Sequence, residues 1–200
     1  CELAIHQNGL ALEYVPYELR TKEICLEVVK QNGKALGHVL EEHKTPELCK
    51  LAIQQNGNAL TILPRKYETK ELCEIAVQQN GRALKYVPDE YRTKELCELA
   101  IHQNGIALNY VPKEIKTPEL CEVSVKNHGH ALQFVPDELI TKELCELAVK
   151  QNGMALEFVP AHLKTEELCK LAIQQNKNTL RNVPEKFKDE LKHYVKEEIG

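Results

Sequence analysis

The chain has 200 residues, of which 42% are hydrophobic and 28% charged, and its net charge is −4. This apolar content is sufficient for a buried core, which excludes general disorder. The slightly acidic charge argues against proteins that bind nucleic acid or anionic membranes through an overall positive field. No apolar run approaches the ~20 residues that span a bilayer.

Eight cysteines divide the sequence at a constant interval of 24 residues. They are Cys1, Cys25, Cys49, Cys73, Cys97, Cys121, Cys145 and Cys169. A fixed period of roughly 20–50 residues is typical of repeat proteins. We therefore predict a repeat array in residues 1–188, made of one partial and seven full copies, and a C-terminal capping helix in residues 189–200.

Each copy carries signals for a first helix, which residues 69–92 (TKELCEIAVQQNGRALKYVPDEYR) show clearly. Thr69 is a good N-cap, because its hydroxyl accepts a hydrogen bond from an unpaired backbone N–H. In two copies Pro46 and Pro118 follow the threonine, where a missing N–H costs least. The helix is predicted to run for about ten residues to Asn-Gly, with the glycine in a left-handed C-cap conformation.

A second, shorter helical segment is predicted after the glycine, ending near Val-Pro. In residues 69–92 its buried side is expected to contain Ala83, Leu84 and Val87. A unit of two short helices is too small to bury its own apolar face, so it must stack on its neighbours. The predicted fold class is all-α, an α-solenoid of stacked 24-residue helix–turn–helix repeats with a short second helix.

The two ends of the array differ. The chain begins at Cys1, the fifth position of a repeat, so we expect it to be part of a longer array or of a larger protein. In the last repeat Lys177, Thr179 and Asn182 replace the usual glycine, alanine and aromatic residue. Residues 189–200 are predicted to form an amphipathic helix that ends the array. Its apolar side consists of Leu191, Val195 and Ile199.

The cysteines are predicted to be buried, reduced thiols rather than disulfides or metal ligands. They fall within the apolar arc of the first helix, between leucine and alanine positions. In units stacked about 10 Å apart, successive cysteines exceed the ~4.4–6.8 Å Cα–Cα distance of a disulfide. Reduced thiols are typical of a cytoplasmic protein.

The sequence carries no catalytic motif. His128-Gly129-His130 holds the one close pair of histidines, and such a pair without a third ligand is a weak metal signal. No nucleophile–histidine–acid order and no phosphate-binding loop is visible. We therefore predict no enzyme activity, no metal and no cofactor.

Two columns on the second helix vary from copy to copy, and such variation indicates where a repeat protein binds its partner. One is the residue after the glycine, and the other lies four residues further on and is usually aromatic. Aromatic side chains beside changing polar ones are typical of a groove for a peptide or helix. The predicted partner-binding residues are Arg82, Tyr86, Ile106, Tyr110, His130, Phe134, Met154 and Phe158.

These columns have alternative interpretations. In one, the aromatic rings only seal neighbouring repeats together. In another, the Gln-Asn pair before each glycine holds a peptide backbone, although we favour Asn ending the first helix and Gln bonding across the turn. Modular recognition of single-stranded nucleic acid requires a basic stripe beside the aromatics, and Glu13 and Glu157 interrupt that stripe.

The sequence thus predicts a non-enzymatic scaffold that binds a protein or peptide, but not nucleic acid or a membrane, and that is a monomer in isolation. The alternative is a structural spacer or targeting arm of a larger effector protein whose active domain lies outside this chain. Fully buried rings at Tyr86, Tyr110, Phe134 and Phe158 would remove the anchors of the proposed groove.

The motif N-G-x-A-L-x-Y, present here at residues 80–86, resembles a family of short helical repeats of unknown function. That family occurs in multi-copy proteins of bacteria, large viruses and protists. The resemblance covers almost the whole chain and implies no catalytic residues. The period is also similar to that of leucine-rich-variant repeats, which alternate α and 3₁₀ helices, but only the length is expected to match.

Overall fold

The computed structural model describes residues 9–196, and within this range every regular element is a helix and no strand occurs. The chain divides into two compact units, Cys1–Ala100 and Ile101–Gly200, and the division falls within helix α4 (Lys94–Gln103).

The first unit contains three complete α-helices and the start of α4. They are α1 (Lys22–Gln31), α2 (Pro46–Gln55) and α3 (Lys70–Gln79). A six-residue 3₁₀ helix follows each one, at Gly33–His38, Gly57–Ile62 and Gly81–Tyr86, and another at Gly9–Tyr14 precedes α1. Three-residue 3₁₀ turns at Tyr17–Leu19, Glu41–His43, Arg65–Tyr67 and Asp89–Tyr91 complete the unit.

The second unit repeats the same order of elements. Its α-helices are α5 (Pro118–Asn127), α6 (Lys142–Gln151) and α7 (Glu166–Gln175). The six-residue 3₁₀ helices are Gly105–Tyr110, Gly129–Phe134, Gly153–Phe158 and Lys177–Asn182. Three-residue turns lie at Lys113–Ile115, Asp137–Leu139 and Ala161–Leu163, and α8 (Glu185–Leu191) and α9 (His193–Lys196) end the described chain.

The predicted start and length of the first helix are confirmed. The N-cap Oγ1 atom of Thr45 accepts from the amide of Leu48 at 3.2 Å, and that of Thr141 accepts from Leu144 at the same distance. Pro46 occupies the first helical position, as predicted. Each helix from α1 to α7 has ten residues.

The predicted all-α array of repeats with a short second helix is confirmed, and the second helix is a 3₁₀ helix. The helix is short because the valine that follows it has an extended backbone. The amide of that valine donates to the carbonyl three residues earlier, as the amide of Val87 does to the carbonyl of Leu84 at 3.2 Å. Pro88 favours this conformation of Val87. Val39, however, precedes Leu40 and has the same geometry, so proline alone does not impose it. The α and 3₁₀ alternation that we did not expect is therefore present.

The predicted left-handed glycine cap is wrong. No glycine in the described range has a positive φ. Glycine is needed here because the next repeat packs against it: a Cβ on Gly153 would lie 2.7 Å from the carbonyl oxygen of Ala172, and one on Gly33 would overlap the carbonyl of Ala52. Lys177 takes the glycine position in the repeat at residues 165–188, and it is exposed.

The core of each unit lies between a layer of α-helices and a layer of 3₁₀ helices. Neighbouring α-helices contact each other, neighbouring six-residue 3₁₀ helices contact each other, and α2, for example, packs on both Gly33–His38 and Gly57–Ile62. In residues 69–92 the buried side chains are Leu72, Cys73, Ala76, Val77, Ala83, Leu84 and Val87. The predicted burial of Ala83, Leu84 and Val87 is therefore confirmed, and Ile75 on the first helix is half-buried.

The C-terminal helices follow the last repeat directly. Helix α8 begins at Glu185, ahead of the predicted boundary at residue 189, and α9 contacts α7. Leu191 is buried at 1% exposure, as expected of the apolar side of a cap. Val195 and Ile199 lie outside the side chains that the structure describes.

Candidate partner-binding surface

The predicted partner-binding residues all lie on the six-residue 3₁₀ helices and none of them is buried, and we call the surface that they form the 3₁₀ face. In the first unit Arg82 is exposed, and Tyr86 is 38% exposed with the Lys85 ammonium 5.5 Å from its ring centroid. In the second unit the members of both columns are half-buried: Ile106, Tyr110, His130, Phe134, Met154 and Phe158. The aromatic rings are thus partly exposed to solvent and partly packed against the protein.

The residue after the glycine also joins neighbouring repeats. The ring of His130 meets that of Phe158 edge-on, with centroids 5.7 Å apart, and His130 Nδ1 lies 3.1 Å from Asn152 Nδ2. Asn58 makes the corresponding contact in the first unit, accepting from Asn80 Nδ2 at 3.2 Å. At these positions the column therefore contributes to packing between repeats as well as to the surface.

A groove in the first unit lies beside Tyr86. It has a volume of about 620 Å³. Its walls come from two successive repeats: Leu60, Thr61, Leu63, Arg65, Glu68, Tyr86, Val87, Pro88, Glu90 and Tyr91. We call it the Tyr86 groove. The sequence did not predict it, because Leu60, Leu63 and Tyr91 fall outside the two variable columns.

The residue before each N-cap threonine, here called the pre-threonine position, is usually basic and was also missed. Arg20 is 8% exposed, and its guanidinium donates to the carbonyl oxygens of Val15 at 2.8 Å and His38 at 2.8 Å. Lys116 Nζ donates to the carbonyl of Phe134 at 2.8 Å. The signal was present in the sequence as a column of cations: Arg20, Lys44, Arg92, Lys116 and Lys164.

The Gln-Asn column binds within the protein. The Asn follows the last residue of the first helix, as predicted, and its side chain starts the 3₁₀ helix: Asn152 Oδ1 accepts from the amide of Met154 at 3.0 Å. The Gln binds the preceding repeat instead of crossing its own turn. Gln175 Nε2 donates to the carbonyl of Val149 at 2.9 Å, and its Oε1 accepts from the amide of Gly153 at 2.7 Å.

In the repeat at residues 117–140, two residues make the hydrogen bonds that one glutamine makes in other repeats. Asn127 Nδ2 donates to the carbonyl of Ile101 at 3.1 Å, and His128 Nδ1 accepts from the amide of Gly105 at 3.1 Å. The hydrogen bond requires a lone pair on Nδ1, so His128 carries its proton on Nε2 when neutral. The His-x-His pair therefore serves contacts between repeats. Among the described residues, no group of three or more His, Cys, Asp or Glu side chains could hold a metal ion.

The seven described cysteines are free and fully buried. Burial in the apolar core raises the pKa of the Cys49 thiol to about 11 and that of Cys73 to about 12. A thiol with such a pKa is protonated at neutral pH and is a poor nucleophile. The prediction of buried, unpaired thiols is confirmed for residues 25–169.

The outer side of the α layer contains a second kind of groove. The one between α5 and α6 has a volume of about 410 Å³, and half-buried Leu139 and Leu147 are among the residues that line it. Its charged rim is internally paired, since Glu146 lies 3.9 Å from the ammonium groups of both Lys142 and Lys150. Across residues 9–196 no helix is both long and apolar enough to span a membrane.

The fold and the surface together define a class, the arrays of short α and 3₁₀ repeats. The chain belongs to the family described as a domain of unknown function, DUF4116. The family model matches seven overlapping segments: residues 1–44, 21–68, 45–92, 69–116, 93–140, 117–164 and 141–188.

The matched segments show how many repeats one match of the family model covers. Those that start at residues 21 and 45 begin at the N-cap threonines, and each full match spans two adjacent repeats. One full match of the family model therefore covers two of the 24-residue repeats seen here. Comparison with curated proteins and with solved structures gives no match.

Proposed function

We propose that the chain is a non-enzymatic scaffold that binds a peptide segment of a protein partner on its 3₁₀ face. The observation that carries this proposal is the aromatic column of the second unit. Tyr110, Phe134 and Phe158 stand at equivalent places on successive 3₁₀ helices, and each ring is partly exposed. Partly exposed aromatic rings at the centre of a surface supply most of the binding energy in many interfaces.

The residues beside the rings differ from repeat to repeat, which favours a specific partner. The residue after the glycine changes from Ile106 to His130 to Met154 on a backbone that is otherwise repeated. Each repeat therefore presents a different side chain to the corresponding position of an extended peptide. Such differences between pockets are the source of specificity in peptide recognition.

Affinity capture with the full chain as bait tests this function. The variant is the triple change Tyr110→Ala, Phe134→Ala and Phe158→Ala. The matched control changes exposed lysines on the α face, Lys126→Ala and Lys142→Ala, and circular dichroism verifies that both proteins are folded. Partners that depend on the 3₁₀ face are lost from the triple variant and retained by the control, as quantified by mass spectrometry.

The same experiment distinguishes the spacer alternative. A spacer or targeting arm uses its rings only to hold repeats together, as His130 and Phe158 do in part. Its captured proteins, if any, would be the same for wild type, control and a folded triple variant. That result would contradict the scaffold proposal.

A further inference from the structure

The pre-threonine cation performs the same task in both units. Arg20 donates to the carbonyl of His38 at 2.8 Å, Lys116 to that of Phe134 at 2.8 Å, and Lys164 to that of Asn182 at 3.0 Å. Each acceptor is the last residue of the next repeat's six-residue 3₁₀ helix. The basic side chain thus crosses the junction between two repeats and binds the carbonyl end of that helix.

One junction in the first unit has the opposite charge. Glu68 occupies the pre-threonine position, and the next 3₁₀ helix ends at Tyr86. A carboxylate only accepts hydrogen bonds, so Glu68 cannot donate to the carbonyl of Tyr86. The Tyr86 groove, about 620 Å³, lies at this junction, and both Glu68 and Tyr86 line it.

The walls of the Tyr86 groove suit a cation. Glu68 and Glu90 contribute two carboxylates, and Tyr86 and Tyr91 contribute two aromatic rings. A guanidinium or ammonium group gains from both, through charge-assisted hydrogen bonds and through contact with ring faces. Arg65 also borders the groove but is exposed.

We infer that the Tyr86 groove binds an arginine or lysine side chain of the partner peptide, which takes the place of the cation that other repeats supply themselves. This inference rests on the proposed function and assigns one position of its ligand. Leu60 and Leu63 offer apolar surface to the methylene stem of such a side chain, as long basic residues commonly require.

The second unit provides a natural comparison. At its junction between residues 140 and 158 the pre-threonine residue is Ile140, which has neither a cation nor a carboxylate. Ile140 therefore offers no charged partner to a basic side chain of the peptide. The inference therefore concerns the junction at Glu68 and does not extend to every junction that lacks a cation.

The test is a titration of the ¹⁵N-labelled full chain with Nα-acetyl-arginine amide, followed by amide chemical shifts. Nα-acetyl-citrulline amide, which has nearly the same shape without the charge, is the control ligand. We expect shifts that cluster at Glu68, Tyr86 and Tyr91 with the arginine probe only. Glu68→Gln is expected to weaken binding about tenfold, since it removes one charge-assisted interaction.

Glu68→Lys is the decisive variant, because it installs the residue found at Lys116 and Lys164 and is expected to fold. Its own ammonium should occupy the groove and abolish the shifts. Shifts that are absent in wild type, equal with citrulline, or unchanged in Glu68→Lys would overturn the inference. The outcome is separate from the capture experiment above, whose variant changes residues of the other unit only.

Discussion

The backbone amide of Gly153 donates to Oε1 of Gln175 at 2.7 Å, and the same glutamine donates through Nε2 to the carbonyl of Val149. One side chain therefore binds both the start of the preceding 3₁₀ helix and the last turn of the preceding α-helix. Gln151 does the same one repeat earlier, with Gly129 and Asn127. These bonds join repeats through backbone groups that neither helix satisfies by itself.

Gln175→Ala is expected to destabilise the protein by about 1–3 kcal/mol, because it leaves a partly buried amide and carbonyl without their partner. Gln174→Ala is the matched control, since Gln174 is the neighbouring glutamine on the same helix and is exposed. Urea denaturation gives both free energies of unfolding. Equal losses for the two variants would show that the inter-repeat bonds contribute nothing specific.

Glycine substitutions separate close packing from backbone conformation. Gly153→Ala places a methyl group 2.7 Å from the carbonyl oxygen of Ala172 and is expected to cost about 1–3 kcal/mol in unfolding free energy. Gly37→Ala is the control, because its Cβ would lie at an ordinary 3.6 Å from Ile62 Cδ1. It should be neutral or stabilising by about 0.4–1 kcal/mol, since alanine restricts the unfolded chain.

The role of the pre-threonine cation predicts that substitutions of two lysines lower the free energy of unfolding to different extents. Lys116→Met keeps the apolar stem but loses the hydrogen bond to the carbonyl of Phe134, and we expect a loss of about 1–2 kcal/mol. Lys113→Met removes an exposed ion pair with Glu138, and exposed pairs of this kind contribute little to stability. Chemical denaturation of the two variants measures the difference. A smaller loss for Lys116→Met than for Lys113→Met would contradict the assigned role.

The buried thiols predict how stability depends on pH. Folding raises the pKa of Cys73 to about 12, so the folded thiol keeps its proton where the unfolded one ionises, above ~8.5. The contribution is fully present below that pH and is lost as pH rises towards 12. Unfolding free energy should fall above pH ~8.5, by up to ~1.4 kcal/mol per pH unit for each such thiol.

Cys73→Ala isolates this effect from the titration of tyrosines and lysines. Its free energy of unfolding should decline less steeply with pH than that of wild type between pH ~8.5 and ~10. Urea denaturation across this range measures both slopes. Identical slopes would mean that the Cys73 thiol does not keep its proton on folding.

Local signals in the sequence predicted the parts of the fold that local chemistry determines. Thr45 and Pro46 identify a helix start because the cap bonds only to the following turn. The prediction of a left-handed glycine cap was wrong because the requirement for glycine does not arise from neighbouring residues in the sequence. What excludes a side chain at Gly33 is the carbonyl of Ala52, in the next repeat.

The candidate surface was predictable only in part for the same reason. Variation between copies identified the columns of Tyr86 and Phe158, which the structure places on the 3₁₀ face. The Tyr86 groove depends on Leu63 and Tyr91 from two different repeats, and on the charge at Glu68. Only the packing of successive repeats brings these residues together.

Binding of a peptide to the 3₁₀ face is measured most simply by comparing affinities for peptides selected from a display library against the full chain. Fluorescence anisotropy then gives Kd for wild type, for Phe158→Ala and for the α-face control Lys126→Ala. If the 3₁₀ face binds the peptide, Phe158→Ala loses about tenfold or more in affinity and Lys126→Ala is unchanged. Equal affinity for wild type and a folded Phe158→Ala, with weaker binding by Lys126→Ala, would contradict binding at the 3₁₀ face.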